Sequence, residues 1–127
     1  KKNKIKNVTL PVSAHFHCSL MKKATENMRK NIRELNVNDV KKEIISNVTA
    51  KKVSDPNEIK DLLIEQIEKR VRWRETIINI INEEGINEFI EIGPGKVLAG
   101  LIKRINKDVR TVSINSEIDI KDITIKT

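Results

Sequence analysis

The stretch Pro11-Val12-Ser13-Ala14-His15-Phe16-His17-Cys18-Ser19-Leu20-Met21 joins two different hydrophobic patterns. A short β-prone run, Val8–Ser13, ends at the two histidines, and apolar residues then recur at helical spacing over Ser19–Leu35. A histidine at such a strand-to-helix junction can use one ring nitrogen as a proton acceptor while the backbone holds the other. Position alone does not decide this, because a histidine in such a place is more often structural.

The segment from Ser13 to Met21 resembles the histidine motif of malonyl-CoA:acyl carrier protein transacylases, which also occurs in the acyltransferase domains of polyketide and fatty acid synthases. The resemblance implies that His17 is the catalytic base. Phe16 is similar to the residue found there in malonyl-specific rather than methylmalonyl-specific enzymes. The resemblance also implies an α/β fold: the C-terminal part of the acyltransferase (α/β-hydrolase-like) core, with parallel strands flanked by helices.

A second helix is predicted to begin at Asp55-Pro56-Asn57-Glu58, which combines an N-cap acceptor, a first-turn proline and the glutamate of a capping box. Its predicted apolar face comprises Ile59, Leu62, Leu63 and Ile67. Gln66 falls within that arc, where an amide without partners costs about 1–3 kcal/mol. The pattern alone fits a core glutamine equally well. The segment 61–66, followed by Val71-Arg72-Trp73, resembles the transacylase segment whose glutamine supports the catalytic histidine, which implies that role for Gln66.

Glu43–Ala50 is a compact β-prone run that contains Asn47. An asparagine amide at a strand end can orient a neighbouring group, although such a residue is more often part of a turn or cap. The residues Ser-Asn-Val-Thr at 46–49 resemble a segment of the same transacylases. The resemblance implies that Asn47 helps at the site.

The second half of the chain alternates helix and strand patterns. The spacing predicts a helix over Val71–Glu84 that stops at Gly85, a buried strand over Asn87–Ile92, a helix from Val97 to Ile105, and a last strand over Val109–Ile114. Such alternation is typical of an α/β fold with a parallel sheet. The tail, residues 115–127, is predicted to be an edge strand or disordered.

The turn Gly93-Pro94-Gly95-Lys96 lies between a predicted strand and a predicted helix, where a glycine-rich loop can bind phosphate. It lacks the spacing of the P-loop and of the dinucleotide fingerprint, and Pro94 removes one amide donor. We interpret it as a tight turn that lets the helix pack close to the sheet. A similar stretch occurs near the C-terminus of the transacylases.

With 127 residues, the chain is expected to form a single partial acyltransferase domain, residues 1–127, with a frayed start at 1–7. It does not begin with Met, so we expect a piece of a longer protein. Cys18 is its one cysteine, which favours a reducing, cytoplasmic location. No apolar run approaches the ~20 residues of a membrane helix, and the basic start lacks the apolar stretch of a signal peptide.

The net charge of +7 suits either nucleic acid or an acidic protein partner. The lysines are scattered without an aromatic platform, zinc-finger spacing or a helix-turn-helix, which argues against nucleic acid. An acidic acyl carrier protein would suit the same charge. His15, His17 and Cys18 are clustered but have no second cluster to complete a zinc site, so no metal is expected.

A serine acyltransferase also needs a nucleophile, and the sequence contains no Gly-x-Ser-x-Gly. The resemblance covers about Leu10 to Ile114, whereas the nucleophile of the family precedes its histidine motif. It therefore implies a C-terminal portion of a fatty acid biosynthesis enzyme that supplies His17 and is inactive alone. The implied partners are malonyl-CoA, a phosphopantetheinyl acyl carrier protein and a complementary N-terminal half, with no cofactor. A non-catalytic remnant or interaction module is the alternative, and a basic nucleic-acid-binding protein is the third.

Overall fold

Five α-helices and four strands are present over residues 15–124, the part of the chain that this computed structural model describes. The elements are a 3₁₀ turn (Ser19–Met21), α1 (Lys22–Glu34), β1 (Ile44–Ile45), β2 (Lys52–Val53), α2 (Pro56–Gln66), α3 (Trp73–Glu83), β3 (Glu88–Ile92), α4 (Val97–Ile105), β4 (Arg110–Ile114) and α5 (Glu117–Thr124). The strands pair as β1 with β2 and β3 with β4. The predicted strand Val8–Ser13 and the predicted frayed start at residues 1–7 lie outside the described residues.

The chain forms two compact units. Unit 1 holds the described residues up to Ile44 together with Val53–Val71, and unit 2 holds Ile45–Lys52 and everything described from Arg72 onward. The expectation of a single domain over residues 1–127 stays a prediction.

In unit 1, α1 packs against α2 and uses only part of its apolar stripe. Thr25 and Ile32 are the buried residues of α1. Met28 and Leu35, which share the stripe, are largely exposed. The predicted helix is confirmed, but its packing is confined to a narrow strip because a single neighbouring helix covers only one side of a cylinder.

The start of α2 is confirmed as predicted. Asp55 Oδ1 accepts the amide N–H of Glu58 at 2.7 Å, and Pro56 occupies the first helical position. The predicted apolar face is wrong at one position, because Leu63 is 41% exposed while Ile64 is only 2% exposed. The three consecutive apolar residues 62–64 turn through about 200° of the helix, so the pattern alone could not show which of them faces inward.

Two polar contacts also join α1 to α2. Arg33 forms an ion pair with Asp61, and Lys60 Nζ donates to the main-chain carbonyl of Arg33 at 3.2 Å. The second contact satisfies one of the carbonyls that the end of α1 leaves without an intrahelical partner. Together these contacts hold the end of α1 against the middle of α2.

Unit 2 has its core where α3, α4 and the start of β4 meet. Ile77, Ile102 and Val109 are each at most 5% exposed. Partly buried side chains pack around them: Trp73, Ile80, Ile81, Phe89 and Ile105. The predicted end of α3 is confirmed, since the helix stops just before Gly85, which has a φ of 65°.

The two long strands, β3 and β4, are parallel, with Glu88 opposite Arg110 and Ile92 opposite Ile114. Both predicted strands are therefore confirmed, as is the parallel pairing. The expectation that the first of them is buried on both faces is wrong, because Ile90 and Ile92 are 50% and 80% exposed. Their side chains lie on the face opposite Phe89, which packs on the core.

The predicted strand over Glu43–Ala50 is wrong beyond its first residues, because only Ile44–Ile45 is extended. A tight turn follows, in which Ser46 Oγ accepts the amide of Val48 at 3.1 Å and the Ser46 carbonyl accepts the amide of Ala50 at 2.8 Å. Serine at this position offers the backbone a local alternative to strand pairing.

The tail prediction is also wrong over the described part of the tail, since α5 occupies Glu117–Thr124 in place of an edge strand or disorder; residues 125–127 lie outside the described residues. Asp119 Oδ2 accepts the amides of Asn115 and Ser116, at 2.8 and 2.9 Å, and the Ser116 hydroxyl at 3.1 Å. This is the carboxylate half of a capping box, in which the third residue of a helix reaches back to satisfy the donors that precede it. The Ser116-x-x-Asp119 spacing carries this signal in the sequence.

The capping box predicts a pH response of α5. The amide of Asn115 and the hydroxyl of Ser116 hold the pKa of Asp119 below its ordinary value of 3.8. A carboxyl with a depressed pKa stabilises the fold above its unfolded pKa and loses that contribution as the pH falls through the folded one. We therefore expect the protection of the Asn115 and Ser116 amides, measured by NMR as hydrogen exchange relative to the intrinsic rate at each pH, to fall below about pH 4. Asp119→Ala should lack this protection at every pH, whereas Asp108→Ala should behave like the parent chain; equal protection in all three would contradict the cap.

Candidate functional site

His17 lies two residues before the 3₁₀ turn that leads into α1, and it is exposed. Its φ is 55°, in the left-handed region that residues other than glycine seldom occupy. Such a backbone conformation costs about 1–3 kcal/mol and persists only where surrounding contacts impose it; it is concentrated at functional sites. The strain identifies residue 17 as a position held in place by its surroundings.

The contact that holds the ring is a hydrogen bond between His17 Nδ1 and the main-chain carbonyl of Gln66, at 2.7 Å. A carbonyl oxygen can only accept, so Nδ1 must carry the proton and donate it. In the neutral ring, Nε2 then has no proton and presents a lone pair. The geometry therefore fixes the tautomer in which His17 can take a proton at Nε2.

The structure thus brings together the two residues that the sequence singled out, and it does so through the main chain of Gln66. Gln66 is the last residue of α2, and the final carbonyls of a helix have no intrahelical partner. The end of α2 therefore provides a carbonyl at the place where His17 needs an acceptor.

Asn47 belongs to unit 2, whereas His17 and Gln66 belong to unit 1. It is half-buried in the turn after β1, and its main-chain carbonyl accepts the amide of Arg72 at 2.9 Å. This contact holds Arg72, the residue just before α3, against the turn that follows β1. A part for Asn47 in the chemistry stays a prediction, as does the specificity role of Phe16, whose ring is 62% exposed.

The glycine turn after β3 holds a helix cap. The Glu91 carboxylate accepts the amides of Leu98 and Ala99, at 3.1 and 2.8 Å, near the start of α4. Asn115 Oδ1 accepts the amide of Gly95 at 2.6 Å. The amides of Gly95, Leu98 and Ala99 are therefore already bonded within the protein, in agreement with the interpretation of this segment as a turn.

The reason for the glycines differs from the expected one. A Cβ added at Gly93 or Gly95 would meet no atom within 4 Å, so close packing of helix on sheet does not require them. Glycine is required at these positions by the backbone angles, because φ is 138° at Gly93 and 95° at Gly95, and residues with a side chain seldom adopt such angles. Sequence reasoning missed Glu91 as the cap; the signal was its place two residues after Phe89, on the inward face of β3.

Unit 1 also contains a groove of about 410 Å³ beside α1 and α2. Arg29, Arg33 and Lys69 line it together with Asp61, Glu65 and Glu68, and Ile64 lies at its base. The three positive and three negative groups balance, so the groove has no net attraction for a charged ligand. Among residues 15–124, no cluster of three or more His, Cys, Asp or Glu side chains could hold a metal ion. The helices described there are too short or too polar to cross a bilayer.

Comparison with known proteins shows what the chain is similar to. It is 41% identical over 108 residues to the malonyl CoA-acyl carrier protein transacylase of Bacillus subtilis, covering 85% of this chain and 34% of that protein. An acyl-carrier-protein S-malonyltransferase structure from Bartonella henselae matches with a TM-score of 0.84 and 41% identity, covering 92% of this chain and 37% of the other. A malonyl-transacylase in complex with its type II PKS acyl-carrier protein matches with a TM-score of 0.85 and 30% identity, covering 93% and 38%.

No protein-family model matches the chain. The chain spans about a third of the length of the curated relatives that it matches. The α/β fold predicted from the resemblance, with parallel strands flanked by helices, is confirmed over the 90–92% of this chain that the structural matches cover.

The anchored tautomer of His17 leads to a spectroscopic prediction. In long-range ¹⁵N–¹H spectra of the neutral ring, His17 should show a protonated Nδ1 and an unprotonated Nε2. Gln66→Ala should leave that pattern unchanged, because the acceptor is a main-chain carbonyl that the substitution retains. His15 provides an internal reference in the same spectrum. A protonated Nε2 on His17, or its appearance in Gln66→Ala, would contradict the main-chain anchor.

The Glu91 cap leads to a stability prediction. Glu91→Ala leaves the amides of Leu98 and Ala99 without their acceptor, so the free energy of unfolding should fall by about 0.5–2 kcal/mol. Urea denaturation followed by circular dichroism measures the change. Glu83→Ala, at an exposed position at the end of α3, is the matched control and should stay within about 0.5 kcal/mol of the parent. Equal losses in the two variants would show that the carboxylate does not stabilise α4.

Proposed function

Because the chain is a homologue of part of the malonyl CoA-acyl carrier protein transacylases, we propose that it supplies the general base of a malonyl transfer to an acyl carrier protein. His17 is that base. The observation that supports the assignment most is the 2.7 Å hydrogen bond from Nδ1 to the Gln66 carbonyl, which leaves Nε2 as the proton acceptor. Gln66 is a positioning residue, since it acts through the ring.

The proposed reaction has two transfers through a covalent ester. His17 Nε2 takes the proton of a serine hydroxyl as its oxygen attacks the malonyl thioester carbonyl, and the imidazolium then returns that proton to the departing coenzyme A thiolate. In the second transfer, Nε2 takes the thiol proton of the carrier protein's phosphopantetheine as its sulfur attacks the seryl ester. The serine oxygen recovers that proton when it leaves. No net proton is produced.

The proposed nucleophilic serine lies outside this chain. No serine of the 127 residues lies in a Gly-x-Ser-x-Gly turn, and the matched relatives are nearly three times as long as the matched segment. We propose that a polypeptide equivalent to the remaining two thirds of those relatives supplies the nucleophile and the oxyanion donors. A base without its nucleophile gives little catalysis, since the members of such a unit act together.

The carrier protein is the proposed acceptor for two reasons. One matched structure is a malonyl-transacylase in complex with its acyl-carrier protein. The net charge of +7 would also attract an acidic carrier protein and speed its encounter with the chain at low ionic strength. We propose that this reaction belongs to fatty acid biosynthesis and takes place in the cytoplasm.

A non-catalytic interaction module is the second candidate. The exposed Ile90 and Ile92 on β3 favour it, because an apolar sheet face of this kind serves an interface whether or not chemistry follows. The two candidates differ in their dependence on His17.

An activity assay tests the proposal. Supplied with malonyl-CoA and holo-carrier protein, the chain alone should give no turnover above that of the buffer. Mixed with the remaining two thirds of the Bacillus subtilis relative, it should transfer malonyl groups, and His17→Ala should reduce the rate by about 10²–10⁴-fold. His15→Ala, at the neighbouring exposed histidine, should match the parent. Turnover of the chain alone at ordinary enzyme rates, about 1–10³ s⁻¹, would contradict the missing nucleophile. A His17→Ala mixture as fast as the parent mixture would contradict the base.

A further inference from the structure

We propose that the outward face of the β3–β4 sheet is a docking surface for an apolar helix from the part of the transacylase fold that has no counterpart in this chain. We call this surface the outer sheet face and define it by Ile90, Ile92, Val112 and Ile114. The inference rests on the proposed function, since its occupant belongs to the polypeptide that would carry the nucleophile.

Strand alternation and register define the outer sheet face. Phe89 packs on the core of unit 2, so the residues on either side of it in β3 point away from that core. The parallel register sets Ile90 beside Val112 and Ile92 beside Ile114. Four β-branched aliphatic side chains therefore share one face of a two-stranded sheet.

This face is open in the described structure. Ile92 is 80% exposed and Ile90 is 50% exposed, while their neighbours on β4 are half-buried. Parallel sheets occur almost only where both faces are covered, because their crossover helices pack on them. In unit 2, α3 and α4 contact the inner side through Phe89 and its neighbours. Over residues 15–124, α5 contacts β4, but the outer side of β3, where Ile90 and Ile92 are exposed, lacks the helical layer that an α/β fold requires.

A charged pair borders the outer sheet face at one end. Glu88 and Arg110 lie on the same face at the start of the two strands, and their side chains form an ion pair at 2.9 Å. The apolar residues follow them toward the strand ends. An apolar centre with a polar rim is the usual composition of a protein interface.

The length of the relatives identifies the occupant. The matches cover 92–93% of this chain at TM-scores of 0.84–0.85, yet only 37–38% of the matched chains. Roughly two thirds of each relative is therefore available to cover the same sheet. A second copy of this chain suits the surface less well, because two copies at +7 each repel one another.

Binding to the remaining two thirds of the Bacillus subtilis relative, measured by calorimetry, tests the surface. Ile92→Glu should weaken binding at least tenfold, because it places a charge within the apolar contact. Ile118→Glu is the matched control, since Ile118 is 70% exposed on α5 and the charge change is the same. It should bind like the parent chain. Ile92→Asn should weaken binding without a change of charge.

The outcomes separate this surface from the proposed chemistry. Equal binding by Ile92→Glu and Ile118→Glu, or no binding by the parent chain, would overturn the docking surface. A parent dimer in sedimentation experiments that Ile92→Glu dissociates would also overturn it in favour of a second copy. His17→Ala should bind normally and lose turnover, so binding without turnover in the parent would contradict the proposed function and leave the docking surface standing.

Discussion

The hydrogen bond from His17 Nδ1 to the Gln66 carbonyl is the interaction on which the candidate site depends. It needs α2 to end at Gln66, because a carbonyl inside the helix would be bonded within it. It also needs α1 to lie against α2, so that His17, two residues before the 3₁₀ turn, reaches that carbonyl. The chemistry of the imidazole is therefore set by the boundary of a helix.

In the described structure, three carboxylates that bind main-chain amides have a structural role, which distinguishes them from His17. Asp55, Glu91 and Asp119 each accept amide N–H groups at or next to the start of a helix, where donors are left without intrahelical partners. A carboxylate used in this way is committed to structure. His17, in contrast, is exposed and presents a nitrogen for proton transfer, which is why the proposed function assigns it the role of base.

Local signals in the sequence were enough to predict most elements, since caps and turns act over a few residues. The sequence alone could not predict that Ile64 rather than Leu63 is the buried residue of α2, because that depends on the helix packed against it. The cap formed by Asp119 was local and could have been found. The sequence and the resemblance pointed to His17 and Gln66, but not to the main-chain route between them. That route needs the end of a helix and a left-handed backbone at His17, which packing imposes and no short-range pattern shows.

The order in which these contacts can form follows from their separation along the chain. β3, α4 and β4 are consecutive, and each contacts the other two, so this segment closes with short loops and little loss of chain entropy. His17 and Gln66 are 49 positions apart and meet only when α1 and α2 dock. We expect the strand–helix–strand segment to act as an early folding nucleus and the anchored imidazole to be assembled late. The part of the molecule that would perform proton transfer is then also the part that opens first under stress.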